Sequence, residues 1–515
     1  MSDALKQLRL ACTDARERFA DALVQAGFRP VPCSDNTWVG YLDTSSLAHA
    51  QTSPSTTVSC PVEITVTGEF PYVPPVIRPV TLDVLEQLNV KAPASPMREP
   101  SHGWHREQSG AFCLYVDDDG TGMPWADAAS FLEQATAWLD HDHRGWPDDD
   151  GALDLERYLP ADADRRLVLY RDTELEPGKY LKLKPATNGA LRITAARPRK
   201  GGGRSGQRLA PNTVRVVDGG ELAAPIRSWD DLLTQAGGDT AESLIKDRQL
   251  GLDHVAIRYQ RHGELGVVIS SLTGSGSPQL AALNAAPDDQ RTRNLRAHPN
   301  ATTLATKTVA VVGVGAVGSV VADLLHRHGV GRLILVDGDV LKPGNTTRHV
   351  LGDEYIGLHK AKGIERLLSQ RSGGLTKVQA LQTSLTDFNA AIDLLERVDV
   401  VVDATADGRA TSLLTAAARA GAGQLVSACV LADGYAVRVD VIPYPDATIV
   451  EPPALPPIRT GAQETGCSSP VNATPPAAAV EAAAIAARVT SELLLGRLPA
   501  HATELRIISA RDADD

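Results

Sequence analysis

Four things are scarce in this sequence: aromatic residues, paired cysteines, long apolar runs and surplus positive charge. Phe, Trp and Tyr make up 4% of the chain, so its cores must be built mainly from Val, Leu and Ala. The six cysteines, at 12, 33, 60, 113, 429 and 467, include no Cys-x-x-Cys pair. That argues against a zinc ribbon and against a disulfide framework, and predicts reduced, mostly buried thiols in a cytoplasmic protein. No apolar run reaches the roughly 18 residues of a membrane span. The opening residues Met1 to Lys6 lack the charged-then-apolar layout of a signal peptide. A formal net charge of -12 leaves no basic balance for general nucleic-acid binding. Neither a membrane nor a nucleic acid is an expected partner.

What is present divides the 515 residues into three textures, within the two to four domains that such a length predicts. Residues 1–150 open with a helical pattern (Leu8, Leu10, Ala15, Phe19, Leu23). Strand-like runs follow at Thr37 to Leu42 and Thr57 to Val66, then the turn Phe70-Pro71-Tyr72-Val73-Pro74-Pro75, and a helix from Ala126 to Leu139. This order reads as an α+β domain. Residues 151–290 lean towards strand (Leu167 to Tyr170, Leu265 to Ser271) and read as a linker or middle domain with no assigned chemistry. The basic glycine run from Arg197 to Arg208 reads there as a solvated loop. Residues 291–515 alternate strand and helix, with Val/Ile-rich runs at 308–312, 333–336, 398–402 and 424–428. Such runs mark parallel strands buried on both faces, so this third region is a doubly wound, Rossmann-like α/β domain.

Gly313-Val314-Gly315-Ala316-Val317-Gly318 falls where the first of those strands turns into a helix. Gly313 permits the tight turn, Gly315 lets a phosphate approach the backbone, and Gly318 lets helix and strand pack closely. The helix N-terminus favours an anion. Asp337 ends the next strand, where an acid can hold ribose hydroxyls. The pattern alone suits NAD as well as ATP.

The continuation distinguishes the two. Asp337-Gly338-Asp339-Val340, then Asn345-Thr346-Thr347-Arg348, then Gly357-Leu358-His359-Lys360-Ala361 resembles the ThiF/MoeB/ubiquitin-activating enzyme superfamily over about residues 291–510. The resemblance implies ATP as the nucleotide, with Arg348 and Lys360 on its phosphates and Asn345 beside them. Cations there suit attack on an α-phosphate, which gathers anionic charge. It also implies Mg2+ on an aspartate after a later strand; Val400-Val401-Val402-Asp403-Ala404-Thr405-Ala406-Asp407 offers Asp407, with Asp403 as the substitute. An arginine ahead of the first strand, Arg293 or Arg291, would reach the ATP of a partner subunit, which implies a homodimer.

Two cysteines have contexts suited to acyl transfer. Cys467 sits in Gln463-Glu464-Thr465-Gly466-Cys467-Ser468-Ser469-Pro470, before a helix expected to start with Thr474 as cap and Pro475 as its first residue. A thiol near a helix N-terminus ionises more readily. Ubiquitin-activating relatives carry an acyl-accepting cysteine on such a loop. Cys429, at the end of an apolar strand, reads as structural. Cys113, in Gly110-Ala111-Phe112-Cys113-Leu114, follows Pro71-Tyr72-Val73-Pro74-Pro75 and precedes Trp125 and a helix. That order resembles the ubiquitin-conjugating enzymes over residues 1–150. Eight residues before Cys113 stands His105 where that family has Asn. As a donor to the oxyanion or as a base, His105 is the candidate for that task.

Both resemblances in one chain resemble the ancillary ligases of bacterial CBASS anti-phage operons. They imply a protein partner with a flexible C-terminus, a cGAS-like nucleotidyltransferase, that is activated by ATP and attached to a target amine. Two other readings stand beside this one: a sulfur-carrier or cofactor-type adenylyltransferase with a non-catalytic N-terminal binding domain, and a nucleotide-gated scaffold.

Overall fold

The opening helical pattern folds as a helix, Asp3–Gln25, that buries Cys12, Phe19 and Leu23 at helical spacing. The computed structural model describes residues 3–32, 34–47, 57–98, 103–115, 122–147, 149, 155–195, 208–274, 277–289, 292, 298–371, 376–445 and 474–508. It forms two compact units, 1–288 and 289–515.

In the first unit, strands β1 (Arg29–Pro30), β2 (Thr37–Asp43), β3 (Ser59–Thr65) and β4 (Val76–Pro79) pair in that order as an antiparallel sheet. Its apolar face meets Phe19 and Leu23 from the first helix, and Phe131, Ala135, Trp138 and Leu139 from the helix Ala128–Arg144. Asp127 caps that second helix by accepting from the Ser130 amide (2.8 Å), and Gly145, at φ 76°, ends it in the left-handed conformation. The helix therefore lies slightly later than Ala126 to Leu139, because capping rather than apolar spacing sets its ends.

The stretch read as a strand-leaning linker or middle domain holds a second, larger sheet. Strands β5 (Val168–Tyr170), β6 (Tyr180–Pro185), β7 (Leu191–Ala195), β8 (Thr213–Glu221), β9 (His254–Arg261), β10 (Glu264–Thr273), β11 (Gln279–Ala282) and β12 (Ala285–Pro287) assemble in the order β11-β10-β9-β8-β6-β7-β5-β12. Both faces are covered. Along β9, Val255, Ile257 and Tyr259 join one core while Ala256 joins the other, as period-two alternation requires. The helices Trp229–Ala236 and Gly238–Gln249 contribute Trp229, Leu232 and Leu244 to the first of these cores. Trp104, from the loop that leads to Cys113, is buried in that same core and donates its indole N–H to the Ala223 carbonyl (3.1 Å). This anchor ties the Cys113 loop to the second sheet. The basic glycine run, apart from Arg208, lies outside the described residues.

The second unit is the doubly wound sheet. Its strands are β13 (Thr308–Val312), β14 (Arg332–Val336), β15 (Lys377–Leu381), β16 (Val400–Asp403), β17 (Leu425–Leu431), β18 (Ala436–Ile442) and β19 (Thr503–Ile507), in the order β15-β14-β13-β16-β17-β18-β19. The first five are parallel; β18 and β19 join antiparallel, so the sheet is mixed. Val309 and Val311 face one core, Ala310 and Val312 the other, which explains the unbroken apolar run. The helix Pro476–Leu494 buries Ala478, Ala479, Ala482, Ala483, Ala486 and Ala487, and these small side chains permit close packing. It begins one residue later than expected: Pro475 is the cap and Pro476 the first helical residue. No helix among the described residues is long and apolar enough to cross a membrane.

Candidate functional site

The parallel strand order reverses between β13 and β16, so the crevice beyond their carboxyl ends is where an open α/β sheet binds its ligand. Three segments meet there: the glycine turn after β13, Asp337 after β14, and Asp403 at the end of β16, paired in register with Val312. Each glycine has a separate steric reason. Gly313 lies at φ 79°, and a Cβ there would stand 2.6 Å from the Thr405 backbone. A Cβ on Gly318 would stand 1.9 Å from the Gly313 carbonyl oxygen, whereas one on Gly315 would meet nothing within 4 Å. Gly315 thus presents open backbone at the start of the helix Ala316–Arg327, the arrangement in which amides and helix dipole receive a phosphate.

Asp337 secures this turn. One carboxylate oxygen accepts from the Val314 amide (2.7 Å) and the other from the Asp339 amide (2.8 Å). Burial raises its pKa against the pull of those amides and of Lys360. Backbone anchoring is therefore a role of Asp337 that spacing did not reveal. Asp339 pairs with the buried ammonium of Lys360 (2.8 Å). Asn345 accepts from the Lys342 amide (2.9 Å) and closes the short turn Pro343–Asn345. The Arg348 guanidinium donates to the carbonyl of Thr474 (3.3 Å).

His349, absent from the sequence reading, braces the turn from below. Its Nε2 bonds the Val314 carbonyl (2.7 Å) and its Nδ1 faces the Leu351 amide (3.1 Å). With Nδ1 accepting, Nε2 carries the proton and the ring is neutral. Burial pushes its pKa down to about 4, with Lys360 adding to that and the Val314 bond opposing it.

The two candidate magnesium ligands differ plainly. Asp403 is buried. One of its oxygens accepts from the Thr405 amide (3.1 Å) and hydroxyl (2.7 Å), the other from the hydroxyls of Thr411 (2.6 Å) and Ser427 (3.1 Å). Asp407 is exposed and caps the helix Gly408–Arg419 through Oδ1, which accepts from the Arg409 amide (2.8 Å). Among the described residues no three His, Cys, Asp or Glu side chains gather as a metal site. A magnesium ion held by one carboxylate and the nucleotide's own phosphates would fit an exposed carboxylate such as Asp407 better than the four-fold bonded Asp403. Arg291, Arg293 and Cys467 lie outside the described residues.

The Cys113 site is built differently. Phe112 donates its amide to Ile77 on β4 (2.9 Å), and Gln134 of the helix Ala128–Arg144 donates to the Leu114 carbonyl (3.0 Å). Phe112 also stacks on Trp138 with ring centroids 3.8 Å apart. The thiol is thereby fixed from both sides and half-buried. Burial raises its pKa, while Arg157 and Arg227 favour its thiolate and Glu107 opposes it. Cys12 and Cys60 are buried; burial lifts Cys60 to about 12 and half-buried Cys429 to about 11, as suits structural thiols.

His105 sits at φ 57°, a conformation uncommon for any residue with a side chain. Its carbonyl accepts from the Cys113 amide (2.9 Å) and its amide donates to the Tyr158 hydroxyl (2.9 Å). The ring turns to Asp149, with Nε2 and Oδ2 2.7 Å apart, and packs on Trp146 at 4.1 Å. Asp149 in turn pairs with the buried Arg261. Burial, then Arg261 and Arg157, depress His105 to about 4. Position 105 thus meets Cys113 through its backbone while its imidazole is engaged elsewhere. Tyr158, Arg157, Arg227 and Arg261 all come from the stretch to which sequence assigned no chemistry.

Residues 290–509 match the ThiF family. That match covers less than half of the chain and falls in its second unit. Over 131 residues, a quarter of this chain, it is 31% identical to the ATP-dependent ubiquitin transferase-like protein Cap2 of Escherichia coli strain TW11681, of which that stretch covers 22%. It is 38% identical over 126 residues to the uncharacterised protein y4qC of Sinorhizobium fredii (22% of this chain, 21% of that one). Over 63 residues it is 49% identical to ubiquitin-like modifier-activating enzyme 5 of Drosophila willistoni (12% of this chain, 16% of that one). The chain spans about a fifth of the length of these curated relatives. Its likeness to the bacterial Cap2 proteins is confined to that matched stretch.

Proposed function

We propose that this protein activates the C-terminal carboxylate of a partner protein with MgATP and conjugates it to an amine. The open backbone at Gly315, between two sterically obligatory glycines at the switch point, carries this reading. The ATP phosphates would lie against the turn. Lys360, now on Asp339, and Arg348, now on the Thr474 carbonyl, would turn to the charge that develops as the carboxylate attacks the α-phosphate. Asp407 would hold magnesium, which when bound would supply charge neutralisation for the departing pyrophosphate.

Cys467 would then displace AMP to form a thioester. Thr474, which Arg348 holds, is the first described residue after the segment that carries it. Cys113 takes the acyl group, and an amine resolves it. Each thioester keeps the carbonyl activated, so one hard acylation becomes several easier exchanges. The joint occurrence of conjugating-like and activating-like motifs, which resembles the ancillary ligases of CBASS operons, implies a cGAS-like nucleotidyltransferase as the partner, in anti-phage defence. The ThiF/MoeB-type motifs of residues 291–510 imply a homodimer in which Arg293, or Arg291, would reach the neighbouring ATP.

Exchange of labelled pyrophosphate into ATP, dependent on a partner with an intact C-terminus, tests the first step. Cys467→Ala should retain that exchange. Cys113→Ala should retain the Cys467 thioester but yield no conjugate, read by non-reducing mass analysis. Loss of exchange in a folded Cys467→Ala protein counts against this order. ATP binding with neither exchange nor a reducible adduct would leave a nucleotide-gated scaffold instead.

A further inference from the structure

We propose that the Tyr158 hydroxyl supplies the oxyanion-stabilising hydrogen bond when an amine attacks an acyl group carried by Cys113, the task that sequence assigned to His105. The inference rests on the thioester reading of Cys113. The His105 imidazole is held by Asp149 at 2.7 Å and stacked on Trp146, which turns it to a different partner. The two backbone groups of that same residue bracket the site. The amide of His105 donates to Tyr158 Oη, and its carbonyl accepts from the Cys113 amide, each at 2.9 Å. One residue thus links phenol and cysteine, and Oη can stand no more than about 10 Å from the Cys113 nitrogen.

Tyr158 is equipped to donate. Its oxygen already accepts the His105 amide, which fixes the phenol and strengthens it as a donor. Arg227 lies over its ring at 4.9 Å, held by the carbonyls of Gly103 (3.0 Å) and Arg106 (3.4 Å). Burial raises the phenol's pKa, and the Cys113 thiolate raises it further, against the His105 amide bond and the two arginines. Tyr158 therefore keeps its proton at neutral pH.

In the step itself the amine nitrogen bonds to the thioester carbon and the carbonyl π pair moves onto oxygen. Tyr158 holds that oxygen without giving up its own proton. Collapse restores the carbonyl and breaks the C–S bond. Cys113 departs with the electron pair and takes up the proton lost by the amine, leaving an amide and a free thiol.

The test supplies the acyl group chemically. The full chain carrying Cys467→Ala is treated with N-acetylglycine thiobenzyl ester, the adduct is placed on Cys113 by peptide mapping, and its discharge to lysine is followed by intact mass. Tyr158→Phe should acylate normally and discharge about 100-fold more slowly, the scale of a lost oxyanion donor. Discharge within twofold of the parent, or a Cys113 that accepts no acyl group, overturns the proposal. Should Tyr158→Phe fail to fold, difluorotyrosine at 158 keeps the oxygen that His105 needs but ionises at lower pH. Discharge should then fall as that more acidic phenol loses its proton, and an unchanged pH profile overturns the proposal. ATP is absent from this assay, so missing pyrophosphate exchange would defeat the adenylation reading without touching this result.

Discussion

The nucleotide turn and the Cys113 site each rest on a depressed histidine, yet they are assembled in opposite ways. At the turn, the decisive contacts are made to backbone atoms: a Cβ on Gly318 would meet the Gly313 carbonyl, and the Val314 amide and carbonyl are held by the side chains of Asp337 and His349. Around Cys113 they run between side chains and loops far apart in the chain: His105 with Asp149 and Tyr158, Asp149 with Arg261, Arg227 with Gly103. A site made of backbone geometry depends on residue type at fixed spacing. One made of meeting side chains depends on the whole unit being folded.

The sharpest way to break this contrast lies within the turn itself. Gly318→Ala forces a Cβ into the Gly313 carbonyl, and neither backbone segment can yield cheaply. A loss of about 3 kcal/mol and of pyrophosphate exchange is expected. Gly315→Ala meets open space and should leave stability within about 0.5 kcal/mol, while still weakening nucleotide binding by covering the phosphate's approach. Thermal melts beside exchange assays separate the two. Equal destabilisation by both would end the claim that the glycines have distinct roles.

At the Cys113 site the comparable weak point is Asp149. Its removal leaves the buried Arg261 and the His105 ring without their shared carboxylate, and breaking a buried ion pair costs about 3–5 kcal/mol. Asp149→Ala should therefore unfold the first unit at lower denaturant and abolish discharge from Cys113. Pyrophosphate exchange in the second unit should survive. A loss under about 1 kcal/mol would mean that the His105–Asp149–Arg261 chain is incidental.

The same contrast explains what could be read from the sequence. The strands at 308–312 and 333–336 and the steric roles of Gly313 and Gly318 were legible, because apolar runs and GxGxxG spacing are local signals. The bracing by His349 was not, since nothing in the spacing of residue 349 points to the Val314 carbonyl. Residues 151–290 announced strands but not that eight would join one sheet, nor that Trp104 would anchor the Cys113 loop in its core. Tyr158 and Arg227 carry no motif of their own. They matter only through which loop the fold brings to them.

Both histidines should make the protein sensitive to acid. Each is held near 4 in the folded chain against about 6.5 when unfolded. Between those values the unfolded chain binds more protons, so stability rises with pH. The contribution is fully present above about 6.5 and is lost as pH falls towards 4. Melting midpoints measured across that window should fall with acidity, and His105→Gln or His349→Gln should each flatten part of the slope. A parent slope unchanged in both variants would show that other groups titrate there.

The smallest effect on stability is expected at the exposed carboxylate, and it sharpens the comparison most finely. Asp403 satisfies four donors from inside the fold, so Asp403→Asn replaces one acceptor oxygen with an amide NH2 donor that faces hydroxyls and should destabilise by about 1–3 kcal/mol. Asp407 makes one capping bond, and Asn caps a helix about as well as Asp. Asp407→Asn should therefore cost only a few tenths of a kcal/mol while raising the magnesium concentration needed for pyrophosphate exchange. Titrating magnesium in both variants decides the assignment. If the requirement moves with Asp403→Asn at constant stability and not with Asp407→Asn, the metal belongs on the buried residue, and the exposed one is merely a cap.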